Sequence, residues 1–278
     1  MRMRRLRLGL TTLLGLRKRG FFIPYRYADQ LPARADRVGY HSLEPLFGAA
    51  EPTFSALIEA MAPYADDLHR IGGAPPPEPR WSQDWFPRLD AAAAYVFVRE
   101  AKPARIVEVG SGHSTRFMTR AVRDGRLGTA ITSIDPAPRA DIEGTGTMLI
   151  RSTLQEAGLM PFSALRSGDV LFIDSSHILM PGTDVDLIFN HVLPMLPKGV
   201  MIHIHDVFLP DDYPPEWEWR GYNEQLGVAA LIQGRGYRIL WSSRYAATRM
   251  ALAVAASVAG ELELKAGAFE SSLWLVKI

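Results

Sequence analysis

Eight residues stand at or just beyond the ends of apolar runs, where a strand would end: Gly110, His113, Asp135, Asp174, Ser175, His177, His205 and Asp206. Four of the seven histidines, His113, His177, His203 and His205, fall at or near this edge, whereas His41, His69 and His191 do not. An imidazole titrates near neutral pH and can take a proton from a hydroxyl, which makes His177 and His205 candidate general bases. Asp174 and Asp206 would close two adjacent buried strands, a costly place for acids with no partner or task. His203, inside an apolar run, reads as a hydrogen-bonded core residue, and His113 is assigned no chemistry.

The element that positions these groups is Arg105 to Thr115, Arg-Ile-Val-Glu-Val-Gly-Ser-Gly-His-Ser-Thr. Ile106, Val107 and Val109 make a buried strand, Gly110 and Gly112 a tight turn, and the polar residues after them a helix start. Glycines there remove the side chains that would keep a ligand from the amides of the turn. Asp135 ends the next strand 25 residues after Gly110, near where an acid accepts hydrogen bonds from ribose hydroxyls. The ligand is thus a dinucleotide or S-adenosylmethionine. A dinucleotide fingerprint wants a third glycine where Thr115 stands, and Glu108 places an acid near a ligand bearing a positive amine, which suits S-adenosylmethionine.

Downstream, strands at 130–134, 148–151, 170–173, 199–204, 237–241 and 272–276 alternate with helices at about 115–123 and 184–193, the pattern of a doubly wound α/β sheet covered on both faces. Ahead of it, helices are expected at about 53–70 and 89–100. Between them Gly72 to Pro79 reads as a linker, dividing residues 1–80 from a domain at 81–278. The proline-rich stretch 208–219 reads as a lid carrying Phe208, Tyr213, Trp217 and Trp219, with Asp211 and Asp212 as solvated loop acids.

The chain has 278 residues, 47% of them hydrophobic, enough for a large core. With 31 basic and 30 acidic residues the net charge is +1, so no global field for nucleic acid exists. There is no cysteine, which removes disulfides, thiolate zinc sites and a cysteine nucleophile, and is compatible with a cytoplasmic location. Arg2, Arg4, Arg5, Arg7, Arg17, Lys18, Arg19 and Arg26 all precede the first acid, Asp29, while Leu6, Leu10, Leu13 and Leu14 recur at helical spacing. That segment is a solvated or partner-packed helix or, through residues 1–20, a peripheral membrane contact. The aromatic cluster Phe21, Phe22, Tyr25 and Tyr27 is expected to pack on the domain. No apolar run reaches the ~20 residues of a membrane span; Met250 to Ala259 comes nearest.

Four motifs in order, Val-Glu-Val-Gly-Ser-Gly-His-Ser-Thr (107–115), Ser-Ile-Asp-Pro (133–136), Leu-Phe-Ile-Asp-Ser-Ser-His (171–177) and His-Ile-His-Asp-Val-Phe-Leu-Pro (203–210), resemble the class I S-adenosylmethionine-dependent methyltransferases, and within them the methyltransferase domain 24 group. The resemblance covers roughly residues 81–242. It implies a Rossmann-like seven-stranded sheet with the last strand antiparallel. It implies cofactor contacts from Glu108, Gly110, Ser111, Gly112, Ser114, Asp135 and Asp174. Related metal-dependent O-methyltransferases hold magnesium on acids after the fourth and fifth strands, so the resemblance also implies a divalent ion on Asp174, His205 and Asp206. The histidine would turn the preference from magnesium toward manganese, iron or zinc.

The expected activity is O-methylation of a small hydroxylated acceptor such as a sugar, by a chain that self-associates and does not bind nucleic acid. The alternatives are a metal-independent methyltransferase with a histidine base, a nicotinamide-dependent oxidoreductase, and a non-catalytic membrane-surface or scaffolding protein.

Overall fold

The computed structural model describes residues 2–278; the side chains of Arg2, Arg4 and Arg5, in the basic stretch, lie outside what is described. The basic, leucine-bearing segment is a helix, α1 Arg2–Leu13. Short helices follow at α2 Glu44–Gly48, α3 Glu51–Glu59 and α4 Ala65–His69. A single helix over 53–70 was the expectation; Pro63 interrupts it, and Ala62–Tyr64 is a 3-10 turn, because proline removes an amide donor and crowds the preceding turn.

Leu43, Phe47, Phe54, Met61 and Leu68 are buried in the same core as Trp241 and Trp274 of the sheet. Phe54 meets Trp241 edge-on at 5.7 Å, and Phe47 stacks on Tyr245 at 5.8 Å. Truncating a phenylalanine so placed costs about 3–5 kcal/mol. Phe21, Phe22, Tyr25 and Tyr27, expected against the domain, are instead 46–68% exposed.

After the proline-rich stretch come α5 Arg88–Ala101 and the sheet. Seven strands, β1 Arg105–Val109, β2 Ala130–Ile134, β3 Met148–Ile150, β4 Val170–Ile173, β5 Met201–Ile204, β6 Tyr237–Ser242 and β7 Leu273–Lys277, lie in the order β3-β2-β1-β4-β5-β7-β6. β1 to β5 run parallel, and β7 is antiparallel to both β5 and β6. Every residue of β4 and β5 is buried, as strands covered on both faces must be. β5 starts two residues later than expected, because Gly199, at φ +85°, still belongs to the preceding turn.

The sheet's order reverses between β1 and β4, and the helix after the glycine turn, α6 His113–Asp124, starts at that reversal. It packs against α5, whose small, buried Ala91 to Ala94 permit close approach. Further along are α7 Leu154–Ala157, α8 Asp184–Leu187 and α9 Leu193–Met195, with a π-helical segment Ile188–Val192 where one helix over 184–193 was expected. Residues 208–219 are irregular apart from the 3-10 turn Pro215–Arg220. Helices absent from the sequence reading, α10 Glu224–Gln233, α11 Ser243–Arg249, α12 Ala251–Ala255 and α13 Val258–Glu261, complete the chain. Among the described residues no helix is long and apolar enough to cross a membrane.

Candidate active site

The strand ends at the reversal border a cavity of about 1280 Å³, lined by Gly110, Ser111, Asp135, Asp174, Thr153 and Gln155 among others. Residues 8–9, 12–13 and 19–23 of the N-terminal arm also line it. In open α/β sheets ligands bind at this place, beyond the carboxyl ends of the strands.

Gly110 holds φ +83°, and a Cβ there would come within 1.9 Å of the Asp174 carbonyl oxygen, so β1 and β4 close on each other only because this residue is glycine. The next residue is clamped by Asp135: its Oδ2 accepts from the Ser111 amide at 2.7 Å and the Ser111 hydroxyl at 3.0 Å, while Oδ1 accepts from the Ala137 amide at 2.7 Å. Asp135 therefore shapes the glycine turn and also faces the cavity.

Glu108 lies beneath the turn and does not line the cavity. It is fully buried and accepts hydrogen bonds of 2.6 Å from the hydroxyls of Ser114, Thr115 and Ser133. Thr115, at the position of the missing third glycine, also accepts from the Gly112 amide at 3.0 Å. Burial pushes the Glu108 carboxyl up to about 7, against the pull of the three hydroxyls. Gly112 and Ser114 likewise do not border the cavity, so of the residues read as cofactor contacts Gly110, Ser111, Asp135 and Asp174 do.

Beside Asp174 the two histidines meet the two aspartates. His177 Nε2 is 3.3 Å from Asp174 Oδ1 and 3.4 Å from Asp206 Oδ2, and His205 Nδ1 is 3.4 Å from Asp174 Oδ1 and 3.5 Å from Asp206 Oδ1. The opposite ring nitrogens point away: His177 Nδ1 meets Glu224 Oε2 at 2.9 Å and His205 Nε2 meets Asp90 Oδ2 at 3.1 Å. Asp90 is held by the amides of Ser271 and Ser272, and the Ser271 hydroxyl donates to Asp206 at 3.2 Å. His177 and Asp206 both carry left-handed backbone, φ +59° and +55°, a conformation costly to residues with side chains and often kept at functional sites.

Burial alone would raise the Asp174 carboxyl, yet the imidazoles of His205 and His177 hold it well below the usual range. Burial would likewise lower both imidazoles, and their carboxylates lift them well above the ordinary histidine value. His203 is different: buried, stacked on Phe172 at 3.7 Å and joined to Ser272 Oγ at 2.8 Å, it is held neutral by that burial, as a core residue.

The lid divides in two. Phe208 and Tyr213 are buried, and Trp217 meets Phe208, Tyr222 and Phe269 edge-on, so these rings fix the loop to the domain. Trp219 is 47% exposed and lines the cavity. Asp211, expected as a solvated acid, instead pairs with Arg244 and Arg249.

A seven-stranded sheet in this order, with its antiparallel β7 and a glycine turn at the reversal, coincides with a matching family profile. Residues 107–207 match the methyltransferase domain family. Over that stretch, somewhat more than a third of the chain, the sequence is similar to methyltransferase domains. No curated protein matches it. Among solved structures it is similar to the S-adenosylhomocysteine-bound methyltransferase PaMTH1 of Podospora anserina, with 16% identity over 93% of this chain and 99% of that one and a TM-score of 0.44. An O-methyltransferase of Bacillus cereus in complex with S-adenosylhomocysteine shows 11% identity, 80% and 91% coverage and a TM-score of 0.43. The O-methyltransferase TomG of Streptomyces achromogenes, involved in tomaymycin synthesis and in complex with S-adenosylmethionine, shows 14% identity, 80% and 89% coverage and a TM-score of 0.40. These remote likenesses assign no residue of this chain a role.

Asp90 and Glu224 were not foreseen. They stand 115 and 47 residues from the histidines they meet, and only the fold brings them there. Thr153 and Gln155, after β3, border the cavity without forming a motif.

Proposed function

We propose that this methyltransferase domain transfers a methyl group from S-adenosylmethionine to a hydroxyl of a small molecule, assisted by a divalent ion on Asp174, His205 and Asp206. The observation that carries the reading is the meeting of these acids and imidazoles at the ends of β4 and β5, directly beside the glycine turn.

The residues present fit the cofactor. Gly110 leaves a cradle that any side chain would fill, and Asp135 turns a carboxylate toward the cavity, suited to ribose hydroxyls. Thr153 and Gln155 border the same space, where an adenine ring would lie. For the ion, no three histidine, aspartate or glutamate side chains among the described residues form a ready-made cage. What supports the ion is the chemistry of the donors, carboxylates and imidazole nitrogens turned toward one another; the acids lift both rings toward their charged form, so an ion would have to displace a proton from each ring it bound.

When bound, the cofactor supplies an electrophilic methyl on its sulfonium, and the ion supplies a Lewis acid that makes an acceptor hydroxyl more acidic. The chain's own residues do the rest. The Ser111 amide and Asp135 set the turn on which the donor lies. Asp174, the member of the centre that lines the cavity, faces the acceptor. His177 and His205 are 2% and 4% exposed and do not line the cavity, which favours ion assistance over a free histidine base. Trp219 and the arm enclose the acceptor and limit water.

We place a peripheral membrane contact on α1, whose Leu6, Leu10 and Leu13 are 47–63% exposed in a segment without acids before Asp29. Co-sedimentation with anionic vesicles, lost on replacing these leucines by glutamate, is the expected result; sedimentation unchanged by the replacements removes the proposal.

The activity is tested by incubating the protein with S-adenosylmethionine labelled in its methyl group and a panel of sugars, phenols and hydroxy acids. Labelled ether product that disappears with Asp206→Asn and with chelator supports the reading. Transfer to a nitrogen or carbon, or transfer indifferent to both treatments, overturns it.

A further inference from the structure

Among the described residues three arginines border the cavity, Arg19, Arg139 and Arg220, and none of them meets a carboxylate. Elsewhere the chain answers such charges: the partly buried Arg88, Arg99, Arg120 and Arg244 each pair with an acid at 2.7–3.0 Å. Arg139 lies over the Trp85 ring at 4.6 Å, and Arg19 is exposed on the arm. Arg220 is held in place on the lid.

The Arg220 guanidinium lies 4.0 Å from the centre of the Trp217 ring and 5.3 Å from those of Trp219 and Tyr222, and its Nη1 donates to the Tyr222 hydroxyl at 2.9 Å. Its Nε is buried and meets no acceptor. Aromatic faces hold a guanidinium through its charge but offer few oxygens to its five N–H groups, and a buried donor without an acceptor is costly. The lid therefore keeps a cation at the cavity wall with its charge unanswered. A planar guanidinium recognises oxyanions best, because its parallel N–H groups match two oxygens of a carboxylate or phosphate.

The loop after β4 sets where this cation stands. The amides of Asn223 and Glu224 donate to the His177 carbonyl oxygen at 3.1 and 3.3 Å, and the Asn223 side chain exchanges hydrogen bonds with the backbone of Leu179. The Tyr222 ring lies 4.6 Å from the His177 imidazole, which in turn reaches Asp174 at 3.3 Å. Arg220 is thus tied to the β4 side of the cavity, whereas Asp135 ends β2 on the other side of β1. Of the acids that border the cavity, Asp135 is engaged by the Ser111 and Ala137 amides, Asp174 by the imidazoles and Asp184 by the Ser176 amide. At about 1280 Å³ the cavity exceeds the roughly 300–1,000 Å³ of a site for one drug-sized ligand, which leaves room for an acceptor beside the donor.

We propose that Arg220 selects the acceptor: a small molecule that carries a carboxylate or phosphate group besides the hydroxyl to be methylated, with the anion against Arg220 and the hydroxyl at Asp174. Arg19 adds a second positive charge from the arm. The inference rests on the methyl-transfer reading above, is independent of the ion, and adds the acceptor's class. The oxygen–methyl bond forms as the sulfonium–methyl bond breaks, its electron pair stays on sulfur, the hydroxyl proton leaves to solvent, and the anion is unchanged.

The test uses the full chain and matched acceptors that differ in charge: hydroxybenzoates against hydroxybenzamides, and sugar phosphates against the free sugars. KM and kcat are measured for methyl transfer, and calorimetry measures binding of the same compounds to protein loaded with S-adenosylhomocysteine, which needs no turnover. The charged member of at least one pair should bind about 10-fold or more tightly than its neutral partner, the size of a charged hydrogen bond. Which pair shows it tells carboxylate from phosphate. Arg220→Gln should remove the preference, chiefly through KM, and Arg220→Lys should keep part of it. An arginine that only braced the lid would weaken both members of a pair alike, and thermal unfolding shows whether each variant is folded; the preference in the unaltered protein needs no variant. Equal binding within every pair, no binding of any member, or a preference that survives in folded Arg220→Gln overturns the proposal, while methyl transfer to a neutral hydroxyl would still stand. An equal fall in S-adenosylmethionine affinity in Arg220→Gln would assign the arginine to the cofactor's own carboxylate and overturn it too. Charged compounds that bind through Arg220 but never receive a methyl group overturn the methyl-transfer reading, and the role of Arg220 in acceptor choice with it.

Discussion

Gly110 and Asp174 approach so closely that a methyl group on the glycine would lie 1.9 Å from the aspartate's carbonyl oxygen. This contact joins the turn after β1 to the end of β4, and so couples the turn proposed as the cofactor's cradle to the acid proposed to face the acceptor. Gly110→Ala must move backbone rather than a side-chain tip and must also hold φ near +83°. Destabilisation of at least about 1–3 kcal/mol follows from the backbone conformation alone. Denaturant unfolding checks it; a variant with unchanged stability and cofactor affinity would show that the turn can open without cost.

Glu108 makes stability fall as pH rises. Its folded-state pKa is raised to about 7 from an ordinary 4.5, so the folded chain keeps a proton that the unfolded chain loses. Below pH 4.5 both states are protonated and there is no penalty; the penalty grows between 4.5 and 7 and is complete above 7. The shift corresponds to about 3 kcal/mol as an upper bound. Glu108→Gln removes the ionisation, so unfolding at pH 5 and pH 8.5 should show a smaller loss in the variant than in the parent. An equal loss in both would mean that the hydroxyls of Ser114, Thr115 and Ser133 stabilise the ionised form after all.

Asp135 shapes the glycine turn and is proposed also to hold the cofactor, and substitutions separate the two. Asp135→Asn keeps an oxygen for the Ser111 amide but loses the charge, while Asp135→Ala leaves the amides of Ser111 and Ala137 without that partner. A charged hydrogen bond is worth about 1.5–3 kcal/mol, so S-adenosylmethionine affinity should fall about 10-fold or more in the alanine variant and less in the asparagine variant. Calorimetry measures both.

The lid tryptophans should respond differently. Trp219→Ala, at the cavity wall, should raise the KM for acceptor several-fold with little change in melting temperature. Trp217→Ala, packed on Phe208 and Phe269, should lower the melting temperature by several degrees. Parallel kinetics and thermal unfolding distinguish them; the reverse pattern would exchange their roles.

The sheet was legible because its strands carry their signal locally. Apolar runs ending in Gly110, Asp135 and Asp174 placed β1, β2 and β4 at their observed limits. The C-terminal helices were not legible, because α12 and α13 are single turns too short to show a period. At the site, sequence named the residues at the strand ends but not their partners. Asp90 looks like one more polar residue of an alanine-rich helix, and Glu224 follows a loop; only packing brings each to a histidine. Glu108 shows the opposite limit: its place before the glycines suggested a ligand contact, yet the chain turns it under the loop onto three hydroxyls.

Calorimetric titration of the purified protein with S-adenosylmethionine tests the central claim most directly. The expected result is one site per chain, weakened by Asp135→Ala. Absence of any heat of binding in a folded protein, with or without divalent ion, would contradict the reading of the cavity at Gly110 and Asp135 as the cofactor's seat.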